Sequence, residues 1–316
     1  MSRAVTSLSL SPTEKAQLMR LFPHGIVAVD LETTGLSALV DRIIEIAAVK
    51  ITPDGEEGIF HQLVNPMVEL TPENSAIHGL TTDDLKDALT LKRPLRALYG
   101  FIGRCPILAH NALFDVAFLV KGSHDFMVDL PPTRAYDSCR FARGHTKVLA
   151  PANVPANYRL GTLAAFHGVA LHHHVALEDA FASLKITAAL LAQTPDDKLN
   201  DLRDRAFTIS FTQFTRDAAF IMPAKFEPMR PLIRAQSPIE IQYTGGTQGG
   251  EWRPVRPIAL LPMPKGPVLY AECLAENTNK SFVLRRIQAF RPRAEASLLT
   301  QPVGADHVEL DFVEGE

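Results

Sequence analysis

The sequence predicts an α/β domain built on a mixed sheet and flanked by helices, followed by a small all-β module. Three features carry that expectation. Apolar, β-branched runs at Ile26–Asp30, Ile43–Val49 and Gly58–Val64 crowd the first part of the chain. After them, helical patterns alternate with a further short strand pattern. Beyond Pro238 the runs alternate apolar and polar residues between Gly, Pro or Asn turns.

The elements follow in order. Residues 1–24 hold a leader helix, in which Ser11 can cap and Pro12 takes a tolerated first position. The three apolar runs then read as a meander, with a turn at Thr34-Gly35 after the first. Helical spacing is found over Thr82–Leu89 and Pro94–Gly103, and a strand at Ile107–Ala109 leads into a helix that Asn111 can cap. Two more helices are expected near Leu160–Gly168 and from Leu177 to about Leu191. That gives a first domain over 25–193. Thr194-Pro195-Asp196-Asp197-Lys198 and the prolines between Met222 and Pro238 interrupt any packing pattern, so 194–237 reads as a linker. The all-β module then spans 238–295, and 296–316 is an acidic tail.

A chain of 316 residues with 46% apolar content suits two domains with buried cores. No apolar run approaches the roughly 18 residues of a membrane span, and a signal-peptide pattern is absent from the first residues, so the cytoplasm is the expected compartment. Cys105, Cys139 and Cys273 lack both CxxC spacing and an even count, and read as reduced thiols. A net charge of -3 gives no overall basic footprint. Contact with nucleic acid must then be local, or pass through metal ions that supply positive charge.

Acidic residues mark the chemistry. Asp30 and Glu32, two apart at a strand end, project to one face while Leu31 points to the other. Carboxylates ending a wholly apolar strand are costly without a cation. Asp115 sits alone among the apolar residues of Leu113–Leu119, four after Asn111. His174 precedes Asp179 by five positions, which lets a residue just before a helix and one in its first turns reach a common point. Hard Mg²⁺ or Mn²⁺ ions prefer such oxygen donors, and two of them can clamp the attacking and leaving oxygens of a phosphodiester. A neutral His can take the proton of the attacking water. Zinc is disfavoured, because the His172-His173-His174 run has neither zincin spacing nor cysteine partners.

Three segments, Val27-Ala28-Val29-Asp30-Leu31-Glu32-Thr33-Thr34-Gly35-Leu36, His110-Asn111-Ala112-Leu113-Phe114-Asp115 and His174-Val175-Ala176-Leu177-Glu178-Asp179, resemble the motifs of the DEDDh exonucleases, with Ile77-His78-Gly79-Leu80-Thr81 also in that family's place. The resemblance covers about half the chain. It implies a ribonuclease-H-like fold, two divalent metal ions and stepwise release of nucleoside 5'-monophosphates from a 3' end. It further implies that Asp30 bridges both metals, that Glu32 and Asp179 complete one site, that Asp115 serves the second, and that His174 is the general base. Thr33, Thr34, Leu36, Ile77, His78 and Phe114 would receive the terminal nucleotide, with Asn111 in support. Ordinary packing is the competing reading for Leu36, Ile77 and Phe114. His172 and His173 read as a solvated loop, and His24, His61, His124, His145, His167 and His307 are given no role.

Runs at Ile239–Tyr243, Val255–Leu260, Leu269-Tyr270 and Phe282–Ile287 resemble a WYL domain, a small SH3-like or Sm-like β-barrel, although the namesake triplet is degraded to Val268-Leu269-Tyr270. That resemblance makes Tyr243, Arg256 and Arg286 candidates for binding nucleic acid or a nucleotide-like ligand, since an arginine fork suits phosphate and an aromatic ring can stack on a base. A packed Tyr243 and a solvated arginine edge are the alternatives. The expected function is a 3'-5' exonuclease acting on single-stranded or frayed nucleic acid, DNA favoured. An RNA or short-oligonucleotide exonuclease, and a ligand-sensing protein with a nuclease fold, are the competing readings. Association with a polymerase, repair or defence complex stays open.

Overall fold

The computed structural model describes residues 8–171, 175–214, 220–245 and 250–293. Helix α1 (Pro12–Leu21) begins as its sequence directs. Ser11 accepts the Glu14 N–H while the Glu14 carboxylate takes the Ser11 N–H, so two orphan donors of the first turn are satisfied reciprocally. Strands β1 (Ile26–Thr33), β2 (Ile43–Ile51) and β3 (Glu57–Asn65) form the expected antiparallel meander. Then come α2 (Pro72–His78), α3 (Thr82–Leu85), the two-residue β4 (Leu89–Thr90), α4 (Lys92–Ile102), β5 (Ile107–Ala109), α5 (Leu113–Phe126), β6 (Arg134–Asp137), α6 (Ser138–Leu149), α7 (Leu160–His167) and α8 (Ala176–Ala192).

The structure departs from the sequence expectation at four places. The Thr82–Leu89 pattern stops as a helix at Leu85, because β4 pairs alongside β3. Helices α2 and α6 and strand β6 were not expected. Asn111 does not cap α5. It adopts a left-handed conformation (φ 58°), a region asparagine tolerates better than most residues, and Ala112 takes the cap position without a side-chain bond. Finally, α9 (Leu199–Ala206) and β7 (Phe207–Ser210) lie where a linker was expected, and β7 pairs antiparallel with β6.

These strands make one seven-stranded mixed sheet in the order β4-β3-β2-β1-β5-β6-β7, with β1, β5 and β6 parallel to one another. Alternation along β1 divides its side chains between two cores. Ile26 and Ala28 join the core under α1, α6, α7, α8 and α9, while Val27, Val29 and Leu31 join the core under α4 and α5. Among the described residues no helix is long and apolar enough to cross a membrane.

After α10 (Arg230–Arg234), strands β8 (Ile239–Tyr243), β9 (Trp252–Leu261), β10 (Val268–Cys273), β11 (Thr278–Val283) and β12 (Ile287–Pro292) form a five-stranded antiparallel sheet in the order β11-β10-β9-β8-β12. Its apolar face, including Ile239, Leu260, Leu269 and Phe282, belongs to the same core as α4 and α5. The two sheets therefore share one apolar interior.

Candidate active site

The wholly apolar part of β1 gives way to Asp30, Glu32 and Thr33 near its carboxyl end. Since Val29 and Leu31 turn into the α4/α5 core, Asp30 and Glu32 turn to the opposite face, which α8 crosses. The first turn of α8 carries Asp179, and oxygens of Asp30, Glu32 and Asp179 lie within 4.8 Å of one another. Asp115 arrives from the other side. It stands in the first turn of α5, directly after β5, the parallel neighbour of β1, and its carboxylate accepts the backbone N–H of Leu31. Open α/β sheets place ligands outside the carboxyl ends of parallel strands, and helix amino-termini favour negative charge there.

The electrostatics are those of an over-acidic pocket. Burial first, then Asp179, Asp115, Glu32 and Glu45, push the Asp30 carboxyl well above the usual range. Burial also raises Asp115, opposed by its own backbone N–H and that of Leu31, while Asp137 and Glu32 push it higher. Asp137 is raised by burial to about 6 although it accepts N–H groups from Asn111, Cys139 and Arg140. An all-oxygen donor set this close, partly desolvated and mutually repelling, fits a hard divalent cation, which would satisfy the oxygens and offset the repulsion together.

Two acids near the site were missed by sequence reasoning. Glu45 faces Glu32 across the β1–β2 register, is 7% exposed, and bonds His61 Nε2 at 2.6 Å. That bond, ahead of the charge of Glu45 itself, holds the His61 pKa up. A lone acid inside the apolar run Ile43–Val49 was the available signal. Asp137 ends β6 and caps α6, elements that had no strong pattern.

The remaining candidates fall into three groups. Thr33 ends β1 and Thr34 begins the β1–β2 loop, with Thr33 Oγ1 donating to the Gly35 carbonyl at 2.7 Å and the Thr34 carbonyl accepting Asn74 Nδ2 at 2.9 Å. Leu36 and Phe114 are half-buried against the core, Phe114 beside Phe118, and Ile77 is exposed. His78 is 2% exposed and accepts the Leu80 N–H on Nδ1, so in this conformation it holds a turn. Asn111 donates its backbone N–H to Asp137. In the second sheet, Tyr243 packs edge-on against Phe282 and its hydroxyl accepts the Val283 N–H at 3.4 Å. Arg256 bonds Glu272 at 2.7 Å, and Arg286 is exposed in the turn before β12. His174, with His172 and His173, lies outside the described residues.

A family model described as Exonuclease matches residues 27–187, which is just over half the chain and includes all four candidate acids. The chain belongs to the Exonuclease family. Among curated relatives, this exonuclease is 35% identical over 166 residues to a PolC-type DNA polymerase III of Caldanaerobacter subterraneus subsp. tengcongensis, a match covering 52% of this chain and 11% of that protein. It is 32% identical over 241 residues to a putative bifunctional exonuclease/endonuclease protein of Mycobacterium tuberculosis, covering 73% of this chain and 36% of that protein. The chain thus spans well under half the length of either relative. Among solved structures, E. coli Exonuclease I in complex with a dT13 oligonucleotide matches at 18% identity and a TM-score of 0.49, over 79% of this chain and 55% of that one.

Proposed function

We propose that this member of the family is a metal-dependent 3'-5' exonuclease that hydrolyses phosphodiester bonds from the 3' end of single-stranded or frayed DNA and releases nucleoside 5'-monophosphates. The convergence of Asp30, Glu32 and Asp179 from two elements onto one point, with Asp115 beside them, carries the reading. Asp30, Glu32 and Asp179 would hold one Mg²⁺ or Mn²⁺ and Asp115 would help hold a second. Such ions polarise a phosphodiester and make bound water more acidic. His174 takes the proton of the attacking water, as its place five residues before Asp179 allows. The backbone at Thr33-Thr34, fixed by Asn74 and Gly35, lies next to Glu32 and receives the terminal nucleotide. DNA is favoured over RNA by the relatives named as DNA polymerases.

The second sheet is read as a WYL-like, SH3-type barrel. Its support is the strand order, in which the chain passes from β11 through the short 3-10 turn Leu284–Arg286 to reach the far edge beside β8. Arg286 is the best placed of its three candidates to meet a phosphate, because Tyr243 and Arg256 are engaged within the sheet. The deciding experiment incubates the purified protein with 5'-labelled single-stranded DNA and matching RNA, with Mg²⁺, Mn²⁺ or EDTA, beside Asp30→Ala. A ladder shortening from the 3' end, abolished by EDTA and by the substitution, is the expected result. Preferential RNA trimming would reassign the substrate, and no cleavage with either metal would overturn the reading.

A further inference from the structure

The loop joining β1 to β2 is unusually well buried for a strand connection, with Ala38, Leu39 and Val40 at 2%, 6% and 7% exposure. Its neck is closed by two bonds, Thr34 N–H to the Arg42 carbonyl at 2.9 Å and Arg42 N–H to Thr34 Oγ1 at 3.0 Å. Inside the loop, Ser37 donates its N–H to Asp41 Oδ2 at 2.9 Å, and the Ser37 carbonyl accepts the N–H groups of Val40 and Asp41 at 2.8 Å. Gly35 lies against that carboxylate so closely that a Cβ there would come within 2.6 Å of Oδ2.

What the loop leans on is the second sheet. Strand β8 pairs with β9 only from Trp252 to Val255. Farther along β9, the Leu260 N–H donates to Ser37 Oγ at 3.1 Å, and the Leu260 carbonyl accepts the Leu39 N–H at 3.4 Å. The loop therefore takes the place of a neighbouring strand for that end of β9, and each side satisfies buried backbone groups of the other. A second tether joins Asp41 to Arg234 of α10 at 3.7 Å.

We infer that β9 is a working part of the nuclease site, holding through Ser37 and Asp41 the loop that starts two residues after Glu32 and seats the 3'-terminal nucleotide. The inference rests on the exonuclease reading for its functional consequence, and on geometry alone for the coupling. Ser37 and Asp41 are positioning residues. They act by fixing where the Thr33-Thr34 backbone stands. A displacement of about 1 Å in a group that orients substrate can cost up to about 100-fold in its productive capture.

The test compares wild type with Ser37→Ala, Ser37→Thr and Ser37→Cys, and with Lys280→Ala on the edge strand β11 of the second sheet as a control. KM and kcat are measured separately on 5'-labelled single-stranded DNA, and amide hydrogen exchange is followed over residues 33–42 and 258–261. Ser37→Ala is expected to raise KM about tenfold or more and to speed exchange in both segments, while Ser37→Thr and Lys280→Ala stay near wild type. Should Ser37→Ala fail to fold, the near-isosteric Ser37→Cys, a weaker acceptor, carries the same expectation. Wild-type KM and exchange in the folded Ala or Cys variant would overturn the inference. So would a Ser37→Thr variant as defective as Ser37→Ala, because the hydroxyl would then not be the tether. If the wild-type protein cleaves nothing, the exonuclease reading fails by itself, and the exchange comparison still decides whether β9 holds the loop.

Discussion

Replacing Asp30 by Asn should abolish activity yet make the metal-free protein more stable. Oxygens of Asp30, Glu32 and Asp179 lie within 4.8 Å of one another. At an effective dielectric of about 20, two unit charges at such a distance repel by about 3 kcal/mol. Protonation limits the strain. Neutralising one aspartate at pH 7 costs about 1.4 kcal/mol for each of the roughly three pH units above its ordinary pKa, so the penalty carried by one group does not exceed about 4 kcal/mol. Asp30→Asn keeps the shape and removes the charge, and a gain of about 1–4 kcal/mol is expected from urea unfolding at pH 7 in EDTA. Saturating Mg²⁺ or Mn²⁺ should narrow or reverse the difference, since a ligand at about 100 times its Kd adds about 2.7 kcal/mol, and at about 1,000 times about 4.1 kcal/mol, to a native state that binds it. A variant less stable than wild type in EDTA, or a wild type that neither ion stabilises, would refute the argument that repulsion is stored there for a cation.

Further outcomes follow from other parts of the molecule. Asp137, with its folded pKa raised to about 6, keeps its proton in the native state after the unfolded chain has lost it. Stability from this group is therefore full below about pH 4 and lost as pH rises through about 6, a fall of about 3 kcal/mol. Urea midpoints across that window should show Asp137→Asn without this part of the slope. Gly35→Ala drives a Cβ to within 2.6 Å of the Asp41 carboxylate, and thermal unfolding should report a loss of about 1–3 kcal/mol. Arg286→Ala leaves an exposed turn intact, and should weaken oligonucleotide binding and lower the salt slope of the affinity by about one, as read by fluorescence anisotropy at several ionic strengths.

The candidate site was legible where its geometry follows from chain periodicity. Strand alternation put Asp30 and Glu32 on one face, and the first turns of two helices supplied Asp115 and Asp179. Glu45 was hidden because its side chain reaches the cluster only through pairing of β2 with β1, a register that local pattern does not encode. Asn111 misled because its two uses, helix cap and left-handed turn, draw on the same residue preference. Strand β7 was concealed by the prolines and acids around it. Four residues have too little pattern to announce a strand, and β7 exists because β6 offers an edge. The bond between Ser37 and Leu260 spans 223 positions and has no local trace.

That short strand also bears on how the protein survives in solution. Lying antiparallel on the outer edge of β6, β7 covers the N–H and C=O groups of Arg134–Tyr136 that would otherwise recruit another chain. A fragment ending at Gln193, the boundary that composition suggests, would lose this cover along with α9, which packs on α6. Such a fragment should sediment as aggregates, while one that retains β7 ends the sheet on a four-residue edge that offers few groups to another chain.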